Sequence, residues 1–125
     1  MKNTILILIP LLFLTGCEKE VTSLQNRGGV KYEINSETPF TGRLVKKYED
    51  GQKEFEWDYT NGELDGRLTY WDKEGNVTKT EGYKDGQKIY EGNWKNGKEE
   101  GLWTWWDEEG NVTETEIFKD GGLVE

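Results

Sequence analysis

Residues 71–86 read WDKEGNVTKTEGYKDG, and residues 106–121 read WDEEGNVTETEIFKDG, almost the same text 35 residues further on. Neither copy contains His or Cys, so the repeated element is a structural unit and not a metal or nucleophile motif. Alternating apolar and polar positions, punctuated by Glu-Gly-Asn and Lys-Asp-Gly, read as a strand, a turn and a strand. Outward from this pair, glycines that end an acidic or Asn-containing dipeptide fall at Gly51, Gly62, Gly75, Gly86, Gly97, Gly110 and Gly121, at spacings of 11, 13, 11, 11, 13 and 11. Five of them follow Asp or Asn directly (Asp50, Asn61, Asp85, Asn96, Asp120). Such pairs accept positive φ at both turn positions and are the strongest short-range hairpin signal. Eleven residues make one strand and one tight turn; the intervals of 13 hold an extra glycine, Gly66 or Gly101, expected at a bulge or a longer connection.

Composition agrees with this class. The chain has no Ala, 16 Gly, 6 Trp and 6 Tyr, a strand-and-turn vocabulary with little helix preference. The expected fold is all-β: an antiparallel meander of hairpins. Strand parity gathers Phe55, Trp57, Tyr59, Val77, Tyr83, Tyr90, Trp94, Val112 and Phe118 on one expected apolar face. The opposite parity is polar apart from Ile89 and Ile117. Tyr70-Trp71 and Trp105-Trp106 cannot both point into one core, because neighbours on a strand face opposite ways. Leu68, Tyr70, Trp103 and Trp105 are expected to pack together. Trp71 and Trp106 are then expected on the other side beside Ile89 and Ile117, as a second small core, an oligomer contact or a partner-binding patch. The sequence leaves those three open.

The first residues are of another kind. Met1-Lys2-Asn3 is a short positive start, and Ile5–Leu14 is apolar but too short to span a bilayer, which takes roughly 20 residues. It ends in Leu14-Thr15-Gly16-Cys17, which resembles the lipobox of bacterial lipoproteins. The resemblance implies removal of residues 1–16, lipid on the Cys17 thiol and acylation of the new amino terminus; an ordinary secretory leader is the alternative. The only Cys in the chain stands at the position that signal needs. Glu18 does not match the Asp that retains proteobacterial lipoproteins in the inner membrane, so the outer membrane or cell surface is the expected location.

Residues 90–101, Tyr-Glu-Gly-Asn-Trp-Lys-Asn-Gly-Lys-Glu-Glu-Gly, resemble a MORN repeat, with its signature Tyr-Glu-Gly-x-Trp-x-x-Gly-x-x-x-Gly. The wider layout, entering through Pro39-Phe40-Thr41-Gly42, is similar to the bacterial variant of that repeat in the YwqK family, of antitoxin type. The likeness spans about residues 22–125. It implies an elongated, twisted stack of hairpins in an open sheet that works by binding protein. An exported, anchored chain does not meet a toxin made in its own cytoplasm, so the expectation narrows to immunity-like neutralisation or another protein partner. Residues 39–125 are the expected repeat domain. Residues 17–38 form a lipidated tether or a first hairpin turning at Gly28-Gly29.

Charge and missing chemistry bound the rest. The formal charge is −9, and −10 once Lys2 leaves with the leader, which excludes a nucleic-acid footprint and suits a basic partner. No disulfide framework is available, and no cofactor is called for. The absence of His and the single Cys exclude Ser-His, Cys-His and histidine-metal sites, so no catalytic residue is assigned and no enzyme is expected. Asp72–Asn76 and Asp107–Asn111 superficially resemble acidic calcium loops, but Tyr83 and Phe118 occupy the twelfth positions and no helices flank them. Asn76-Val77-Thr78 and Asn111-Val112-Thr113 read as strand starts. Two functions remain: a surface lipoprotein that binds a protein, basic or a toxin, and an envelope scaffold whose hairpins associate with copies of itself, through exposed sheet edges, or with cell-wall material.

Overall fold

The computed structural model describes residues 19–124, so the leader and Cys17 lie outside the described residues. Eleven strands follow in order: β1 (Glu20–Val21), β2 (Gln25–Arg27), β3 (Val30–Tyr32), β4 (Gly42–Lys47), β5 (Lys53–Thr60), β6 (Glu63–Trp71), β7 (Val77–Lys84), β8 (Gln87–Lys95), β9 (Lys98–Trp106), β10 (Val112–Lys119) and β11 (Gly122–Leu123). Nine form one open sheet in the order β1-β4-β5-β6-β7-β8-β9-β10-β11. It is the meander read from the turns, antiparallel throughout except where β1 lies parallel to β4. At about 4.8 Å per strand step the sheet is roughly 40 Å wide. β2 and β3 make a separate hairpin turning at Gly28-Gly29.

Local chemistry accounts for the turns. Asn61 and Gly62 have φ of 49° and 82°, the mirror-image turn whose twist matches that of the flanking strands. Asp85-Gly86, Asn96-Gly97 and Asp120-Gly121 repeat it. Asp50-Gly51 does not: Tyr48 N–H donates to Gln52 O at 2.8 Å and Gly51 N–H to Tyr48 O at 3.0 Å, closing a longer loop. Asp72–Asn76 and Asp107–Asn111 share that geometry. In each of these two, the leading Asp accepts two backbone N–H groups, from Glu74 and Asn76 or from Glu109 and Asn111. The amide of Asn76 is the first cause holding the Asp72 carboxyl below the usual range, and Asn111 does the same for Asp107. The expected bulges also occur: the register shifts opposite Gly66 and Gly101.

The single apolar face does not occur. Directly paired residues share a side of a sheet, and the pairs trace two sides. One, called the front, carries Phe55, Trp57, Leu68 and Tyr70 and continues through Glu81, Glu91, Thr104 and Thr115. The other, the back, runs from Thr69 through Thr80 to Gly92 and from Gly82 through Tyr90 to Trp105. Phe55, Trp57 and Tyr70 of the first unit therefore pack on the front, and Tyr90, Trp103 and Trp105 of the second on the back. The cause is arithmetic. The 35-residue unit holds three strands, β5–β7 and then β8–β10. In a meander an odd number of strands returns the chain running the other way. Because a side chain's side depends on chain direction, the second unit is the first turned over.

Each unit thus builds its own small core. In the first, Phe55 stacks on Trp57 at 4.4 Å, Tyr70 meets both rings, and Leu68 lies buried beneath. In the second, Trp103 takes Trp94 and Phe118 edge-on and stacks with Tyr90. Leu68 and Tyr70 do not join Trp103 and Trp105, contrary to expectation, for the same reason. Glycines make the second cluster fit: a Cβ on Gly92 would lie 2.0 Å from the Trp103 ring and one on Gly82 2.1 Å from Tyr90. A single-layer sheet has no second sheet to cover it, so rings laid over bare backbone serve instead.

The β2–β3 hairpin closes the end of the first unit. Lys31 N–H donates to Gly62 O, Phe40 N–H to Lys31 O, and Gly62 N–H to Phe40 O. Gly62 has φ +82°, and a Cβ there would meet Val30 Cγ1 at 2.3 Å. Gly62→Ala is expected to cost about 2 kcal/mol through strain and overpacking. In thermal denaturation it lowers the midpoint, and limited proteolysis finds earlier cleavage within 25–38. An unchanged cleavage pattern would show that this contact does not hold the hairpin.

Candidate partner-binding surface

The four residues singled out from sequence do not form one patch. Trp71 lies on the back, where Lys53 Nζ sits 5.8 Å from its ring centroid and reaches Glu56 at 2.6 Å. Trp106 lies on the front, under Lys88 Nζ at 5.7 Å, and Lys88 also pairs with Glu91. The Lys-Glu-Trp group is thus repeated 35 residues on, on opposite faces, as the turned-over unit requires. Each indole is half-buried under its lysine, an arrangement that stabilises by about 0.5–1 kcal/mol at partly exposed sites. Ile89 is the extra residue of a bulge between Lys88, paired to Tyr83, and Tyr90, paired to Gly82. Ile117 stands on the front opposite Leu102 and is 39% exposed. Only Trp106 and Ile117 share a face and a hairpin.

What the front of β9 and β10 does collect is an exposed apolar strip. Leu102, 52% exposed, stands opposite Ile117, and Val112, 56% exposed, lies further along the same face opposite Trp106, past the Thr104–Thr115 pair. Val112, expected in the core, is therefore a surface residue: it pairs with Trp106, on the side away from the Trp103 cluster. Repeat alignment carried a signal for Leu102. The unit places Arg67 at the equivalent position, so a solvent-facing arginine has become a leucine with no core to enter. In the same alignment Ile117 replaces Gly82.

The corresponding surface of the first unit is covered. There Trp94 Nε1–H donates to Thr80 Oγ1 at 3.0 Å, and the Tyr90 ring lies over Gly82. Both rings come from β8, the next strand along. Arg67, Thr69, Val77, Thr80 and Trp94 line an open groove of about 400 Å³ there.

The charged cluster in the middle of the sheet is structural. Glu81 is 4% exposed. Its carboxylate accepts the Tyr70 hydroxyl at 3.0 Å and pairs with Lys88 at 2.8 Å and Lys79 at 3.3 Å. Burial alone would push that carboxyl up, but the hydrogen bonds from Lys88 and Tyr70 and the two ammonium charges hold it below the usual range. Burial, and then the Glu81 carboxylate, push the Tyr70 hydroxyl well up. Every oxygen is occupied within the protein, so the group is a satisfied buried network with nothing directed at a ligand. Among the described residues no three His, Cys, Asp or Glu side chains are grouped to hold a metal ion. No protein-family model, curated protein or solved structure matches the chain.

Proposed function

We infer that the chain is a lipid-anchored, non-catalytic module that binds a protein, in the manner of an antitoxin or immunity protein at the cell surface. The observation that carries this reading is the exposed strip of Leu102, Val112 and Ile117 on a flat strand face. Apolar residues grouped in this way mark interaction surfaces. The lipobox-like Leu14-Thr15-Gly16-Cys17 supports the anchor, and the MORN-like stretch 90–101 supports membership of a YwqK-like repeat group. Among the described residues no helix is long and apolar enough to cross a membrane. The acidic surface favours a basic partner and speeds its approach.

The test is site-directed photo-crosslinking of the full chain in its own cells, with a reactive residue at Leu102 or Ile117 and a control at Lys73 on a turn. One protein captured at both strip positions and not at the control is the expected result. Equal capture at all three positions, or none, refutes the reading.

A further inference from the structure

We propose that the turn at Asn96-Gly97 receives a short segment of a partner protein that reads apolar residue, then Asp, Glu or Thr, then Gly. This rests on the protein-binding reading above and assigns a second contact, on the back of the sheet. Of the four mirror-image turns, three seat both of their backbone N–H groups on a neighbouring segment of the chain. Asn61 N–H donates to Thr41 Oγ1 at 2.9 Å and Gly62 N–H to Phe40 O at 2.7 Å. Asp85 N–H donates to Asp65 Oδ1 at 3.3 Å and Gly86 N–H to Leu64 O at 2.8 Å. Asp120 N–H donates to Glu100 Oε1 and Gly121 N–H to Glu99 O, both at 3.0 Å. Two successive N–H groups thus grip one residue's carbonyl and the next residue's side-chain oxygen, a backbone concavity that attracts oxygen anions. The gripped segments share one pattern: Phe40-Thr41-Gly42, Leu64-Asp65-Gly66 and Glu99-Glu100-Gly101. Their glycines have φ of 152°, 114° and 76°, a conformation open to glycine and costly for other residues.

The fourth turn is built alike, with Asn96 at φ 53° and Gly97 at 79°, yet its two N–H groups have no partner among the described residues. The gap lies inside the sheet. β6 and β9 begin ahead of the pairs Gly66–Tyr83 and Gly101–Phe118, and that overhang is what reaches the turns at Gly86 and Gly121. β7 supplies none to Gly97: Val77 pairs with Trp71 and Thr78 Oγ1 donates to Tyr70 O, so its start stays on β6. Its pairing with β8 stops at Lys79 with Asn93, and the space beyond is the groove of about 400 Å³ lined by Thr69, Val77, Thr80 and Trp94 and bordered by Gly97. The turn at Gly121 lies at the same end of the sheet, and the residue it grips, Glu99, pairs with Trp94 and stands on the back. A residue gripped in the same way at Gly97 also stands on the back, over this groove, where an apolar side chain fits. Lys95 and Lys98 flank the turn, are exposed and make no ion pair among the described residues. Asn96 also lacks the charge that Asp85 and Asp120 carry. Both differences favour a carboxylate at the second position of the incoming segment. A second copy of the chain is a poor occupant, because its three segments of proven fit are already engaged.

The probe is a synthetic peptide of residues 63–66, Glu-Leu-Asp-Gly, capped at both ends. It is titrated into the isotope-labelled full chain in detergent micelles and followed by amide chemical shifts. Saturable movement of the Asn96 and Gly97 amides and of the Trp94 indole N–H is expected, with the amides of the three occupied turns unmoved. Peptides with Asp65→Ala or Leu64→Ala are expected to bind at least fivefold more weakly; the first keeps Glu63 and so controls for charge alone. In the chain, Lys95→Glu/Lys98→Glu repels the carboxylate and Thr69→Trp fills the groove, and each is expected to weaken binding at least fivefold while the spectrum stays that of a folded sheet. No movement at Asn96 and Gly97, or equal binding of the Asp65→Ala peptide, overturns the proposal. So does acetate that moves the same amides at the concentrations used for the peptide, since the turn then reads a lone anion. Concentration-dependent assembly of the chain alone that Lys95→Glu/Lys98→Glu abolishes overturns it too, because the occupant is then a second copy. If crosslinking at Leu102 and Ile117 captures a partner but the peptide does not bind, this proposal fails while the binding function stands. If the peptide binds as expected but nothing is captured at the strip, the proposal stands and the reading of the strip fails alone.

Discussion

Trp103→Ala is expected to destabilise the chain by about 4 kcal/mol, the largest effect of any single side chain in the second unit. The indole is buried and contacts Tyr90, Trp94, Trp105 and Phe118, with its Nε1–H donating to Asn93 O at 3.1 Å. A domain of this size has a total stability of roughly 5–15 kcal/mol, so the variant sits near the edge of folding. Gly92→Ala attacks the same contact from below, because its new Cβ would lie 2.0 Å from the ring, and it is expected to cost about 3 kcal/mol. The two effects do not add. Without the indole the alanine methyl has room, so the double variant should be less damaged than the sum by at least about 1 kcal/mol. Urea unfolding of the four proteins measures this coupling. Strict additivity would mean that Gly92 matters for its backbone and not for the ring above it.

The second large effect is at Lys88. Lys88→Met keeps the length of the stem but removes the ammonium that pairs with Glu81 and Glu91. Breaking a buried pair by removing one partner costs about 3–5 kcal/mol. The side chain of Lys88 is 30% exposed and Lys79 remains 3.3 Å from Glu81, so about 2 kcal/mol is expected here. The pH dependence carries the diagnosis. In the native chain the Glu81 carboxyl is held below its unfolded value, so its contribution is complete above about pH 4.3 and is lost as the pH falls below that. With Lys88 gone, burial outweighs what remains and the carboxyl moves upward. Acid destabilisation then begins at a higher pH, and Glu81→Gln added to Lys88→Met recovers part of the loss. Stability measured by urea unfolding between pH 3 and 7 (roughly the span over which carboxylates titrate) reads both. Parallel pH profiles for the native chain and Lys88→Met would remove Glu81 as the cause.

Little of the candidate surface was legible in single residues. Trp71 and Trp106 drew attention because adjacent aromatics cannot share a core, and that inference holds: one member of each pair does turn away. What the spacing could not show is that the two turn away to opposite faces, each beneath its own lysine. Leu102 was legible only by aligning the units, where it replaces Arg67. Val112 was misplaced because alternation counts parity along a strand, whereas its environment depends on whether a further strand arrives beside it.

The sequence by itself determined the hairpin strands of the repeat, their meander order and most of the turns, because these are local: Asn-Gly and Asp-Gly carry the φ they need, and alternation over eight or nine residues specifies a strand. Tertiary structure decided the register, and through it the faces. Tyr48-Glu49-Asp50-Gly51-Gln52-Lys53 and Tyr83-Lys84-Asp85-Gly86-Gln87-Lys88 differ at one position of six, yet Asp85 has φ 49° and Asp50 is not left-handed. Lys53 pairs with Lys47, whereas Lys88 pairs with Tyr83, so otherwise matching segments close different turns. The choice belongs to the strands on either side, since a one-residue slip sends every following side chain to the other face. A bulge at Ile89 and an odd number of strands per unit act across the whole sheet, beyond the reach of any local reading.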